Sequence, residues 1–204
     1  MKNLNNIIKL LLLVSTCYIN AQIKKDTIFL IHNEIQKIYI EPNKESDYYT
    51  SLTAFFNSDA KGNKKLKKKS EKWVPLYRYH NDYYLYAPCD FVYHNPIQIK
   101  EKKLLVGGAE TVLYKIDKTK ESLEKHQVKV EYQDYDGKRQ YLEYTIIDIQ
   151  KTIAIFKFQS EYRFMVRAEK VKDYPIIINE CIQGKVSEFV FAPSDYKALL
   201  RQIK

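Results

Sequence analysis

After Trp73 the chain is written in short runs where apolar and polar residues alternate. Val112, Tyr114 and Ile116 share one side of an extended segment, opposite Leu113 and Lys115. Val128, Val130 and Tyr132 alternate with Gln127, Lys129 and Glu131. Tyr162, Phe164, Val166 and Ala168 alternate with Arg163, Met165, Arg167 and Glu169. A period of two is that of a strand with one face buried. Strands of parallel sheets are usually apolar on both faces, so the pattern predicts antiparallel pairing.

Turn signals separate these runs. Asn81-Asp82 divides two aromatic stretches, Asp136-Gly137 divides Val128 to Tyr132 from Tyr141 to Ile149, and Lys151-Thr152 is expected to fold Thr145 to Ile149 onto Ile153 to Phe158. That last hairpin would set Ile149 opposite Ala154, Ile147 opposite Phe156 and Thr145 opposite Phe158, one apolar face. Roughly ten strands are expected between Ile28 and Phe191, too many for a flat sheet with one wet face. The fold class expected is therefore all-β: an antiparallel meander curled into a barrel or a two-sheet sandwich. One C-terminal α-helix follows, with Ser194 as its cap, Asp195 in its first turn, and Tyr196, Leu199, Leu200 and Ile203 along one stripe. In size and order this arrangement resembles the lipocalins, although no Gly-x-Trp lies near the expected mature N-terminus and Trp73 follows Glu71 and Lys72.

Composition changes the picture at both ends of the question. The chain has 204 residues and a net charge of +9. Residues 1–21 combine a basic start, an apolar run from Leu10 to Val14 and a small residue at Ala21, which predicts a secretory signal peptide followed by a single β-rich domain over 22–204. The alternative is lipid anchoring through Cys17. The leader carries Lys2 and Lys9 and no acid, so the mature chain keeps +7 and attracts anionic partners. A lysine-rich loop at about 59–72, with Lys64, Lys65, Lys67, Lys68 and Lys69, is expected to be solvated and to attract polyanions weakly and nonspecifically. Without Cys17, Cys89 and Cys181 remain in an oxidising compartment, periplasmic or extracellular, where a disulfide between them competes with two buried thiols.

The strongest chemical signal is aromatic. A two-residue turn at Asn81-Asp82 would place His80 opposite Tyr83, Tyr79 opposite Tyr84, Arg78 opposite Leu85 and Tyr77 opposite Tyr86. Tyr77, Tyr79, Tyr84 and Tyr86 then crowd one side, and Arg78 and His80 take the other for packing or solubility. Such rings can stack on sugars and offer hydroxyls, or pack a barrel wall. The expectation is a carbohydrate or small-ligand surface.

Catalytic and metal signals are absent. His32, His80, His94 and His126 are dispersed, and neither Cys-x-x-Cys nor His-Glu-x-x-His occurs, so no metal or cofactor is expected. Cys89 lies about 20 Å along the hairpin from His80, too far for a Cys-His dyad. Asp134 and Asp136 before Gly137 read as a hairpin turn, and Gly107-Gly108 as a turn or bulge. The function expected is a noncatalytic exported binding protein of the cell envelope or exterior. Two alternatives stand beside it: a structural or assembly protein that offers its sheet to an envelope protein, and a hydrolase with carboxylates assembled from distant strands.

Overall fold

The computed structural model describes residues 27–57, 70–90, 94–182, 184 and 186–203. The expected leader over residues 1–21, with Cys17, and the lysines at 64, 65, 67, 68 and 69 lie outside the described residues. Twelve strands are described: β1 (Ile28–His32), β2 (Gln36–Glu41), β3 (Ser70–Tyr79), β4 (Asp82–Ala87), β5 (Ile97–Lys100), β6 (Lys103–Val106), β7 (Val112–Ser122), β8 (Gln127–Gln133), β9 (Arg139–Asp148), β10 (Ile153–Phe158), β11 (Glu161–Arg167) and β12 (Ile176–Cys181). Helix α1 (Asp47–Asn57) follows β2, a 3₁₀ helix (Ala168–Asp173) follows β11, and α2 (Tyr196–Arg201) lies near the C-terminus.

Strand β3 belongs to two structures. Its first residues pair with β5 and its middle with β11, from Trp73 opposite Arg167 to Leu76 opposite Phe164. These pairings close β3 and β5 to β11 into an antiparallel barrel of eight strands. From Tyr77 onward β3 pairs instead with β4, which begins a second sheet in the order β4, β12, β2, β1.

A barrel of eight strands leaves an interior just wide enough for side chains to fill. Trp73, Leu104, Val130, Tyr132, Leu142, Phe156 and Met165 fill it, each at most 1% exposed. The Arg167 guanidinium lies 4.6 Å from the Trp73 ring and 3.1 Å from a Glu71 oxygen, and Glu71 also accepts a hydrogen bond from the Tyr144 hydroxyl. Outside the barrel, Val74, Leu76, Ile155 and Phe164 pack against Tyr49, Leu52 and Phe56 of α1 and against Ile176 and Ile178 of β12. Strand β12 is thereby buried on both faces. Its run Ile176-Ile177-Ile178 runs parallel to β4, as such a two-sided apolar run allows.

Several elements differ from the sequence reading. Helix α1 was not legible, because tyrosine, threonine and phenylalanine favour strands, yet Tyr49, Leu52, Thr53 and Phe56 are buried at helical spacing and Ser46 Oγ caps the amide of Tyr49. The β3–β4 turn falls on His80 and Asn81, with His80 at φ 53°, so Tyr77 opposes Tyr84 and Tyr79 opposes Asp82. This slip is even, and the four tyrosines keep one face. The β9–β10 connection is longer than expected. Residues 149–152 form the turn, Thr152 takes φ 55°, and a bulge follows at Ile153. Here the slip is odd, so Leu142 and Tyr144 join Phe156 inside the barrel and Ile149 is 63% exposed. Met165, on the expected polar face of β11, is fully buried because both sides of that strand are covered. The cap of α2 is Asp195, whose carboxylate accepts from the Ala198 amide, one residue later than Ser194. Asp134 accepts from the amides of Asp136 and Lys138, and Gly137 takes φ 73°, so that carboxylate serves the hairpin turn.

The observed register sets a mutational contrast. Leu142→Ala should cost about 2 to 5 kcal/mol, and Ile149→Ala less than about 0.5 kcal/mol, in urea denaturation. The reverse ranking would restore the expected register.

Candidate ligand cleft

The departure of β3 from the barrel opens a wedge. The β3–β11 ladder ends at Leu76 opposite Phe164, since Tyr77 is already paired with β4. Tyr162 and Arg163 of β11 are left beside the gap. A cavity of about 340 Å³ occupies it, lined by Tyr77, Arg78, Tyr162, Arg163, Phe191 and Tyr196 among others, with Asn95 and Ser194 adding neutral polar groups. A second cavity of about 410 Å³ shares Arg78 and the 192–194 backbone and reaches Tyr79 and His80. Arg78 therefore stands in the wall common to both.

The outer wall is the segment 186–195, expected in part as a strand but lacking regular secondary structure. One carboxylate holds it down. Glu188 Oε1 accepts from the Asp90 amide at 2.8 Å, and Oε2 accepts from the Tyr86 hydroxyl at 2.5 Å, Asn179 Nδ2 at 3.0 Å and the Cys89 amide at 3.2 Å. The Tyr86 oxygen in turn accepts from the Phe189 amide at 2.9 Å, and Gln36 Nε2 bridges Asn179 Oδ1 and the Ser187 carbonyl. Parallel β4 and β12 finish at the same end of the sheet. Cys89 and Cys181 meet there in a disulfide with Cα atoms 5.8 Å apart, next to the amides that Glu188 binds.

Once pinned, the segment lays its aromatic rings over the tyrosine face. Phe191 sits 4.5 Å from Tyr77 and 5.2 Å from Tyr86, and Phe189 lies 5.8 Å from Tyr79. The four tyrosines share a face but not a common surface. Tyr86 is 5% exposed and its hydroxyl belongs to the Glu188 network. Tyr77 lines the first cavity and Tyr79 the second, while Tyr84 lines a third, of about 600 Å³, with Tyr83 and Tyr174. The sequence pointed to the hairpin. It gave no signal for Tyr162, Arg163, Phe191 and Tyr196, which only the tertiary arrangement brings to Tyr77.

The cleft offers ring faces and donors. Tyr162 and Tyr196 stack at 5.8 Å with planes 17° apart. Burial raises the pKa of the Tyr77 and Tyr196 phenols, and Arg163 pulls both the other way, so at neutral pH each hydroxyl keeps its proton. Arg163 pairs with Glu161. Arg78 reaches Asn81 Oδ1 at a long 3.4 Å, and its Nε is buried with no acceptor. Among the described residues no three His, Cys, Asp or Glu side chains gather as a metal site, and no helix is long and apolar enough to cross a membrane.

His94, next to Asn95 of the cleft wall, is 5% exposed and meets Phe56 of α1 edge-on at 5.4 Å. Burial pulls its pKa down to about 4, against the opposing attraction of Glu188. The unfolded chain then binds the extra proton first on acidification. The stability carried by neutral His94 is complete above about pH 6.5 and falls by about 3 kcal/mol as the pH drops to 4. Urea midpoints at pH 7 and pH 4.5 should show this loss in the wild type, and His94→Gln should flatten it. An unchanged slope in the variant would remove His94 from the acid response.

Comparisons of the chain with protein-family models, curated proteins and solved structures give no match.

Proposed function

We propose that this chain is an exported, noncatalytic binding protein whose cleft takes a small ring-bearing ligand, a carbohydrate foremost. The observation that carries the proposal is the 340 Å³ cavity where β3 and β11 part, walled by Tyr77, Tyr162, Tyr196 and Phe191 and edged by the donors of Arg78, Arg163 and Asn95. Flat rings beside hydrogen-bond donors match a sugar, which presents an apolar C–H face and a rim of hydroxyls. The Cys89–Cys181 bridge supports export, because disulfides persist in oxidising compartments.

A structural or assembly role has its own support in β1. Among the described residues this strand is the edge of the second sheet, and Ile28, Phe29 and Ile31 are 58%, 50% and 37% exposed. An apolar edge with unpaired backbone groups is a template for another chain.

A glycan array separates the two readings. Wild-type protein should bind a defined saccharide set, and Tyr162→Ala should remain folded while losing about 1 to 3 kcal/mol of binding, by analogy with bases stacked on aromatic side chains. An array without hits, or binding indifferent to Tyr162→Ala, would overturn the cleft reading and leave the β1 edge as the better candidate.

A further inference from the structure

We infer that the cleft selects an acidic saccharide, one whose ring carries a carboxylate, and that Arg78 anchors this carboxylate. The inference deepens the carbohydrate reading and rests on it.

Arg78 lines both cavities on either side of the 192–194 backbone. Its Nε is buried without an acceptor, and among the described residues its Nη2 donates one long hydrogen bond, to the neutral amide oxygen of Asn81 at 3.4 Å. A charged group in that condition is costly to hold unless something outside the chain completes its hydrogen bonds. The Nε of Arg167 is also buried without an acceptor, but Arg167 has the carboxylate of Glu71 beside it, as Arg139 has Glu131 and Arg163 has Glu161, whereas among the described residues no carboxylate pairs with Arg78. The guanidinium fork presents parallel N–H donors that match a carboxylate.

The surrounding charge favours one negative charge over two. Arg163 shares the cavity with Arg78, and Lys157 lies 6.0 Å from the Tyr162 ring, while Glu161 offsets one of these cations. Asp195 borders the second cavity, where its carboxylate also caps α2. A carboxylate monoanion balances what remains. Tyr162, Tyr196 and Phe191 then supply the stacking for the sugar ring, with the acid directed at Arg78.

The test compares methyl β-glucuronide with methyl β-glucoside, which differ only in the acid at the ring substituent, by NMR titration of the full mature chain. The wild type should bind the glucuronide at least about tenfold more tightly, as a charge-assisted bidentate contact implies. Arg78→Gln should reduce this preference to within about threefold and leave glucoside binding in place, and Arg78→Lys should restore only part of it. Arg163→Gln, at the more open rim, should narrow the preference by a smaller factor and serves if Arg78→Gln does not fold. Equal binding of the two sugars by the wild type would overturn the acid selection and keep the cleft as a neutral-sugar site. A preference that survives Arg78→Gln would also overturn it. If neither sugar shifts the Tyr162 and Tyr196 ring resonances, both the selection and the cleft reading fall together.

Discussion

A single carboxylate, Glu188, organises one side of this molecule. It accepts from two backbone amides just after β4, from a tyrosine hydroxyl and from an asparagine amide. A partly buried charge is tolerable when its oxygens are filled in this way, and removing it would strand several donors at once. Through these bonds the irregular segment 186–195 is fixed to the ends of β4 and β12, where the disulfide also sits. Phe189 and Phe191 are thereby held over the tyrosines, and the outer wall of the cleft exists.

The inner wall comes from a different constraint. Strand β3 is ten residues long and cannot follow both the barrel and the second sheet. Pairing with β11 ends where pairing with β4 begins, and the strands splay. Barrels remove sheet edges by closure. This one closes around a strand that continues past the closure, leaving a gap at the rim with two arginines and three tyrosines beside it. The cleft thus follows from topology on one side and from a local hydrogen-bond network on the other.

What the sequence made legible was whatever depends on side-chain period within one strand. The inward residues of β7 and β8 are those the alternation marked, and the all-β class with a terminal helix follows from the same signal. The tyrosine face was legible because an even slip of the hairpin leaves faces unchanged. The β9–β10 pairing was not, since a turn with a bulge changes register by an odd number and inverts the face. Helix α1 was hidden by residues of strand preference that are overruled by burial against β3 and the 3₁₀ helix. The cleft itself was illegible for a stronger reason. Arg78 and Arg163 each looked like an outward charge on its own strand, and nothing local says that Glu188, about a hundred residues from Tyr86, bonds to its hydroxyl.

The central claim is that the Glu188 network builds the cleft by holding the aromatic segment onto the hairpin. NMR of the Glu188→Ala chain tests it without any ligand. The account predicts that cross-peaks between the rings of Tyr77 and Phe191, whose centroids lie 4.5 Å apart, disappear, while those between Trp73 and Phe156 inside the barrel persist. Retention of the Tyr77–Phe191 contact in that variant would contradict it.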